Sequence, residues 1–298
     1  MASYALFLGC AIPNHQPHLE LAARKALAAL TVPVLDLVGA TCCPDPVGIP
    51  GLSHAGWLAI AARNLCLAEE LGADLLTLCN GCYETLKQAS HELEDKAVRA
   101  AVNEVLAPLG KQYEGKTRVV HLVELLHREI GPGEIARLVK QPLKGLRVAA
   151  HYGCHLVRPS EVLGFDDPER PVSLDELVTA LGAVSVAYPR KMLCCGAGVK
   201  GMDKEQATNI SRGIAREKFL NVKMSDADCL VVPCPTCMAQ YDGNQGLIER
   251  AYGEKYELPV FYYAELLCLA LGVPPADLGF QYHRVKVERA LLKVVQPV

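Results

Sequence analysis

Short apolar runs alternate with longer amphipathic stretches along the chain, and the whole series occurs twice in the same order. Runs of strand length followed by stretches with an apolar helical face predict an α/β fold with a largely parallel sheet. The first series reads as a strand from Tyr4 to Gly9, a helix from Leu19 to Leu30, a strand from Val32 to Val38 and a helix from Ala55 to Leu71. It continues with a strand from Asp74 to Cys79, one long helix from about Tyr83 to Leu109, a strand from Thr117 to His121 and a closing helix through His127. Gly131-Pro132-Gly133 ends it. The second series has strands at 147–153, 184–188, 229–233 and 260–263, with helices at 175–181, 204–224, 238–252 and 264–271. Ser173 and Glu176 have capping-box spacing at the head of the first of these helices.

A length of 298 residues exceeds what one hydrophobic core normally serves, so the doubled series implies two domains, 1–142 and 143–298. A hydrophobic fraction of 51% with 21% charged residues fits packed globular domains and excludes disorder. The net charge of -3 gives no reason to expect nucleic acid or an anionic membrane as a partner. No apolar stretch has the roughly 18 residues that span a bilayer. Leu6-Phe7-Leu8-Gly9-Cys10 resembles a lipoprotein processing site only superficially, since no Lys or Arg precedes it. A cytoplasmic protein is expected, without membrane insertion.

The cysteines sharpen this picture. Ten of thirteen form one pattern used twice: Cys10, Cys42-Cys43 and Cys79-x-x-Cys82, then Cys154, Cys194-Cys195 and Cys234-x-x-Cys237. The gaps are 31 and 35 residues in the first copy and 39 and 38 in the second, so the thiols can meet only in a folded domain. Each group falls just beyond the carboxyl end of a predicted strand, where α/β sheets collect ligands and helix N-termini offer free N–H groups. Such density in a large, core-rich chain suits a reducing compartment rather than a disulfide scaffold. Thiolates bind zinc, cuprous copper or iron–sulfur clusters. Structural zinc closes with four ligands, and five cysteines per copy exceed that. An ordinary cubane also takes four, usually from a compact CxxCxxC run that is absent here. Ligand number therefore favours an iron–sulfur cluster in each half over zinc in one half or cysteines that are merely buried.

The doubled pattern, with Asn80-Gly81-Cys82-Tyr83, His151-Tyr152-Gly153-Cys154-His155 and Cys194-Cys195-Gly196-Ala197-Gly198, resembles the B-subunit family of heterodisulfide reductases over nearly the whole chain. The resemblance implies two tandem Rossmann-like CCG domains related by a pseudo-twofold. It implies a noncubane [4Fe–4S] cluster on Cys10, Cys42, Cys43, Cys79 and Cys82, and another on Cys154, Cys194, Cys195, Cys234 and Cys237. It also implies a reaction: a small disulfide enters between the clusters, its S–S bond opens, and each sulfur is captured by an iron of one cluster. The reverse would oxidise two thiols. Two one-electron centres would then match one two-electron bond. The implied partners in the same complex are a small ferredoxin-like subunit, which delivers electrons, and a flavoprotein subunit, which feeds it. A non-catalytic electron-transfer subunit of a respiratory or sulfur-oxidising complex is the alternative.

His155, beside Cys154, is the candidate catalytic proton donor, because imidazole titrates near neutrality. It or His151 could equally cap or neutralise cluster charge. Two departures from the family stand out. Cys42-Cys43 is followed by Pro44 instead of Gly, which removes a backbone donor and predicts unequal cluster potentials. Val199-Lys200-Gly201-Met202 stands where a longer glycine run is expected, which leaves the substrate open. Gly196 to Gly201 spells GxGxxG but lacks the preceding strand and the later acidic residue of a dinucleotide site. A thioredoxin-like reading of the CxxC pairs would leave the Cys-Cys pairs unused. Cys66, Cys229 and Cys268 read as small buried hydrophobes. Lys87, Lys96 and Arg99 read as a solvated helix face, or else as a docking surface.

Overall fold

A computed structural model describes residues 3–199 and 203–294. Eight strands form two four-stranded parallel sheets of identical connectivity. The first contains β1 (Tyr4–Phe7), β2 (Val34–Asp36), β3 (Asp74–Thr77) and β4 (Val119–His121), in the order β2-β1-β3-β4. The second contains β5 (Arg147–Ala150), β6 (Val184–Ser185), β7 (Cys229–Val232) and β8 (Val260–Tyr262), in the order β6-β5-β7-β8. Tyr4 pairs with both Val34 and Asp74, and Val148 with both Ser185 and Cys229, so β1 and β5 sit inside their sheets. Helices cover both faces of such sheets, which is why β1 and β7 are buried at every position. The repeat read from the sequence is thus a repeat of fold.

Three helix boundaries differ from expectation. The stretch from Tyr83 to Leu109 is two helices, Asn80–Glu92 and Lys96–Leu106. Asp95 breaks it by accepting from the N–H groups of Ala97 and Val98, the usual act of an N-cap. The stretch from Met238 to Tyr252 is divided by a widened π-helical turn, Ala239–Gly243, between helices Pro235–Met238 and Gln245–Tyr252. Ser173 is not a cap but the first residue of helix Ser173–Ala180, and its hydroxyl makes no hydrogen bond. The Tyr152 hydroxyl instead accepts from Leu174 and Asp175 N–H, and the Asp166 carboxylate accepts from Val172 and Ser173 N–H. Tertiary acceptors replace the local capping box.

Lys87 is also not on a solvated face. Its ammonium donates to the Tyr83 hydroxyl at 2.8 Å and, across the molecule, to the Leu163 carbonyl at 2.9 Å. Lys96 is exposed and Arg99 half-buried, as a surface helix would have them.

The halves share one continuous apolar core, and helix Pro17–Ala29 of the first packs on helix Tyr263–Ala270 of the second. Their relation is visible at the sheet ends. Cys79 and Cys234, which occupy the same place in their own halves, meet each other with sulfurs 3.8 Å apart. Equivalent atoms touch only near an axis that exchanges them. The flanking contacts are reciprocal: the Tyr262 hydroxyl, at the end of β8, donates to the Leu78 carbonyl at 2.7 Å, and His121, at the end of β4, faces the Pro233 carbonyl. Burial holds His121 neutral, down to about 4.

Candidate functional site

The ten pattern cysteines gather at the carboxyl ends of the two sheets. Cys10, Cys79 and Cys234 each stand at the N-cap of a helix, and the Cys234 sulfur accepts from the backbone of Cys237 and Asn80. In the first half the thiols touch in the sequence Cys10, Cys42, Cys43, Cys82, Cys79, beginning with a Cys42 to Cys10 sulfur distance of 3.7 Å. In the second they touch in the matching sequence Cys154, Cys194, Cys195, Cys237, Cys234. The Cys79 to Cys234 contact joins the two runs into one. Donors and acceptors share protons along each run: Cys43, accepting from Cys42, is held well below the usual thiol range. Cys194, accepting from Cys154 and then Cys195, is held down to about 2.

This geometry bears on what the thiols could hold. A tetrahedral zinc ion needs four ligand atoms close together, with sulfur at about 2.3 Å from the metal. Among the described residues, no three of the ten sulfurs all lie within 4.8 Å of one another. An elongated run of five sulfurs suits a group with several metal atoms, whose ligands are spread over its length. Cys43, Cys79, Cys82, Cys195, Cys234 and Cys237 are all buried, where a thiolate would need a nearby cation for compensation.

The glycine before the first cysteine of each run makes the approach possible. Gly9 has φ +64° and a Cβ there would lie 2.8 Å from Cys82 Sγ; Gly153 has φ +76° and a Cβ would lie 2.5 Å from Asn80 Nδ2 and 3.4 Å from Cys237 Sγ. Asn80 uses that space to donate to the Tyr152 carbonyl at 2.7 Å, binding one half to the other beside the sulfurs. Gln16 ties them again, donating to the Pro235 carbonyl at 2.9 Å.

The two copies are not electrostatically alike. Gly196 N–H donates to Cys194 Sγ at 3.3 Å, whereas Pro44 has no N–H to give. Buried Lys218 holds the loop before Cys194 through the Arg190 and Lys191 carbonyls at 3.0 and 2.6 Å. Burial pulls its ammonium down to about 7 against the attraction of Cys237, Cys195, Cys154 and Cys194. In the first half, neutral Asn64 holds the corresponding loop by donating to the Cys42 carbonyl at 3.1 Å. A titratable amine therefore adjoins the second run where an amide adjoins the first.

Of the two histidines, His151 is fully buried, packed edge-on against Tyr241, and kept neutral by burial and by Lys218. His155 lines a pocket of about 310 Å³ together with Cys154, Cys194, Cys234 and Cys237 of the second half and Asp45, Val47 and Asn80 of the first. Its Nδ1 lies 3.9 Å from the Glu84 carboxylate, which burial and then the Cys43 charge raise to about 7. Val199 lines the same pocket, while Lys200, Gly201 and Met202 lie outside the described residues, as does the end of the GxGxxG stretch. Sequence reasoning passes over Glu84, Lys218 and the Gly9/Gly153 pair; only the glycines carry a readable signal, one before the first cysteine of each copy.

Cys66, Cys229 and Cys268 are fully buried in helix His54–Glu70, in β7 and in helix Tyr263–Ala270, away from the runs. Replacing any one of them by Ala is expected to cost about 1 kcal/mol of packing and to leave iron content unchanged. Loss of iron from Cys229→Ala, measured after anaerobic purification, would show that the ligand assignment in the second half is wrong.

Comparison with known proteins agrees with this arrangement. The cysteine-rich domain model CCG matches residues 4–87 and again 148–242. The chain is 40% identical over 297 residues to the B-subunit of the Ferredoxin/F(420)H(2)-dependent CoB-CoM heterodisulfide reductase of Methanosarcina acetivorans, covering 99% of this chain and 98% of that protein. It is 31% identical over 286 residues to the 8-methylmenaquinol:fumarate reductase membrane anchor subunit of Wolinella succinogenes, covering 94% and 96%. In shape it matches a hypothetical protein from Helicobacter pylori with a TM-score of 0.73 at 17% identity, covering 96% of this chain and 52% of that one.

Proposed function

The chain belongs to the cysteine-rich CCG domain family and, within it, to the heterodisulfide reductase B-subunit proteins, and we propose that it is the part of a larger oxidoreductase at which a small disulfide is reduced, or two thiols are oxidised. The Cys79 to Cys234 contact supports this most directly, because it brings two equivalent thiol runs to a common point. Cys10, Cys42, Cys43, Cys79 and Cys82 would hold one noncubane [4Fe–4S] cluster, and Cys154, Cys194, Cys195, Cys234 and Cys237 the other. When bound, each cluster would exchange one electron and offer iron to a sulfur, so that the pair matches the two electrons of an S–S bond.

The chain's own residues supply position and protons. The pocket beside Cys154, Cys194 and Cys234 admits a small molecule next to the meeting point of the runs. Opening a disulfide to two thiols consumes two protons, and His155, in the pocket lining with Glu84 beside it, would deliver one to a departing thiolate. Cys10 and Cys42 are exposed, so the first run is where electrons from a partner can enter. Those partners are a ferredoxin-like subunit, in direct contact, and a flavoprotein subunit that supplies it. No described helix is long and apolar enough to cross a membrane, and we place the complex in the cytoplasm.

Anaerobically purified protein is expected to contain about eight iron and eight acid-labile sulfide per chain. Four irons accompanied by a zinc bound through sulfur would restrict the cluster to one half and overturn the two-cluster reading. The fumarate reductase relative favours a second reading, electron relay without disulfide chemistry. Reduced protein that passes electrons to a partner but leaves the coenzyme M–coenzyme B heterodisulfide and other small disulfides intact would establish it.

A further inference from the structure

Where helix Pro17–Ala29 of the first half packs on helix Tyr263–Ala270 of the second, we infer that His18, Glu265 and His283 bind a divalent transition-metal ion such as zinc, which joins the two halves. One ligand atom from each of the three lies within 4.8 Å of the others, and all three residues are buried. His18 comes from helix Pro17–Ala29, Glu265 from helix Tyr263–Ala270 that packs on it, and His283 from the segment that follows. Two imidazoles and one carboxylate are a ligand set that zinc uses with its fourth position left to water.

The site is built rather than accidental. Glu265 is fixed by accepting the Tyr262 N–H at 2.8 Å through one oxygen, and presents the other to His283 Nε2 at 2.9 Å. The Val260 carbonyl faces the His283 ring, as a carbonyl behind a ligating imidazole commonly does. Gly279 has φ +73° and a Cβ there would lie 2.8 Å from the His18 Cβ, so the turn carrying it closes directly over the histidine. Tyr282 stacks on the His18 ring at 5.8 Å between centroids. A cavity of about 470 Å³ lined by His18, His283 and Asp242 leads in from the surface and can hold the fourth ligand.

A simple ion pair between His283 and Glu265 accounts for two of these residues but not for the third. His18 is only 5% exposed, and neither of its ring nitrogens has a hydrogen-bond partner. Buried polar atoms are nearly always satisfied, and a metal ion would satisfy one nitrogen at the point where the other two ligands already converge. The Asp242 carboxylate is not available for this, since it accepts from the Arg284 and Val285 N–H groups at 2.8 and 2.9 Å.

The test is to incubate the anaerobic, iron-loaded protein with zinc, desalt it, count metals, and record X-ray absorption at the zinc edge. One retained zinc per chain, with nitrogen and oxygen at about 2.0–2.1 Å and no sulfur near about 2.3 Å, is the expected result. His18→Ala and Glu265→Gln should each lose that zinc while iron and sulfide stay at wild-type values. No retained zinc in the wild type, or zinc with a sulfur shell, overturns the inference whether or not the variants fold. Iron reports on the thiol runs and the zinc shell on this site, so either reading can fail alone.

Discussion

Cys42→Ser and Cys194→Ser should each abolish disulfide turnover while leaving about half of the iron in place. The sulfurs of a substrate disulfide are about 2 Å apart, so both must find acceptors at the same moment as the bond opens. The meeting of Cys79 with Cys234 puts the two runs close enough to act together. With one acceptor removed, the geometric advantage of holding both sulfurs is lost, and a misplacement of even about 1 Å can cost roughly 10²-fold. The expected loss in kcat is therefore at least about 10²-fold in either variant. The measurement pairs turnover with an artificial donor against iron content and paramagnetic signals from the remaining half. A variant with half the iron and near wild-type turnover would sink the two-site mechanism and leave electron relay as the better reading.

Gly153→Ala should damage both halves at once. The left-handed backbone at φ +76° costs a residue with a Cβ about 1–2 kcal/mol. The added carbon also falls 2.5 Å from Asn80 Nδ2 and displaces its bond to the Tyr152 carbonyl. Leaving that buried carbonyl without a donor costs about 1–3 kcal/mol more. The denaturation midpoint should fall accordingly, and iron should be lost from the second run, against which the new carbon presses through Cys237. A Gly153→Ala protein with unchanged midpoint and iron would mean that the backbone moves aside easily and that the close approach is not required. Gly9→Ala, whose Cβ would meet Cys82, is the matched variant for the first run.

Much of this is legible in the sequence because the repeat constrains it. The strand positions can be read to within a few residues, since β1, β3, β5, β7 and β8 are short apolar runs with abrupt polar ends. The places of Cys79 and Cys234 at strand-to-helix turns follow from those ends. Helix interiors read less well. Asp95 cuts a continuous amphipathic pattern that carries no proline or glycine at the break, and the widened turn at Ala239–Gly243 leaves no periodic trace at all. The capping-box spacing at Ser173 misleads because Asp166, seven residues earlier, takes the Ser173 N–H and Tyr152 takes the next two N–H groups. Lys87 and Lys218 have the sequence context of surface helices, yet Lys87 is drawn half under Leu163 and Lys218 is fully buried by the loop at Arg190 and Lys191. His18, Glu265 and His283 come from both ends of the chain with no common spacing, so only folding brings them together.

Three of the bonds that cross between the halves begin and end beside the cysteines: Asn80 to Tyr152, Gln16 to Pro235 and Tyr262 to Leu78. A clamshell motion of the halves would break all three and pull Cys79 from Cys234. On the proposed function, the centre would then work as a fixed slot rather than one that closes on what enters. Its selectivity would then reside in the width and lining of the pocket, to which Val47 and His155 both contribute. Widening it at Val47 should broaden the range of molecules accepted before it slows any one of them.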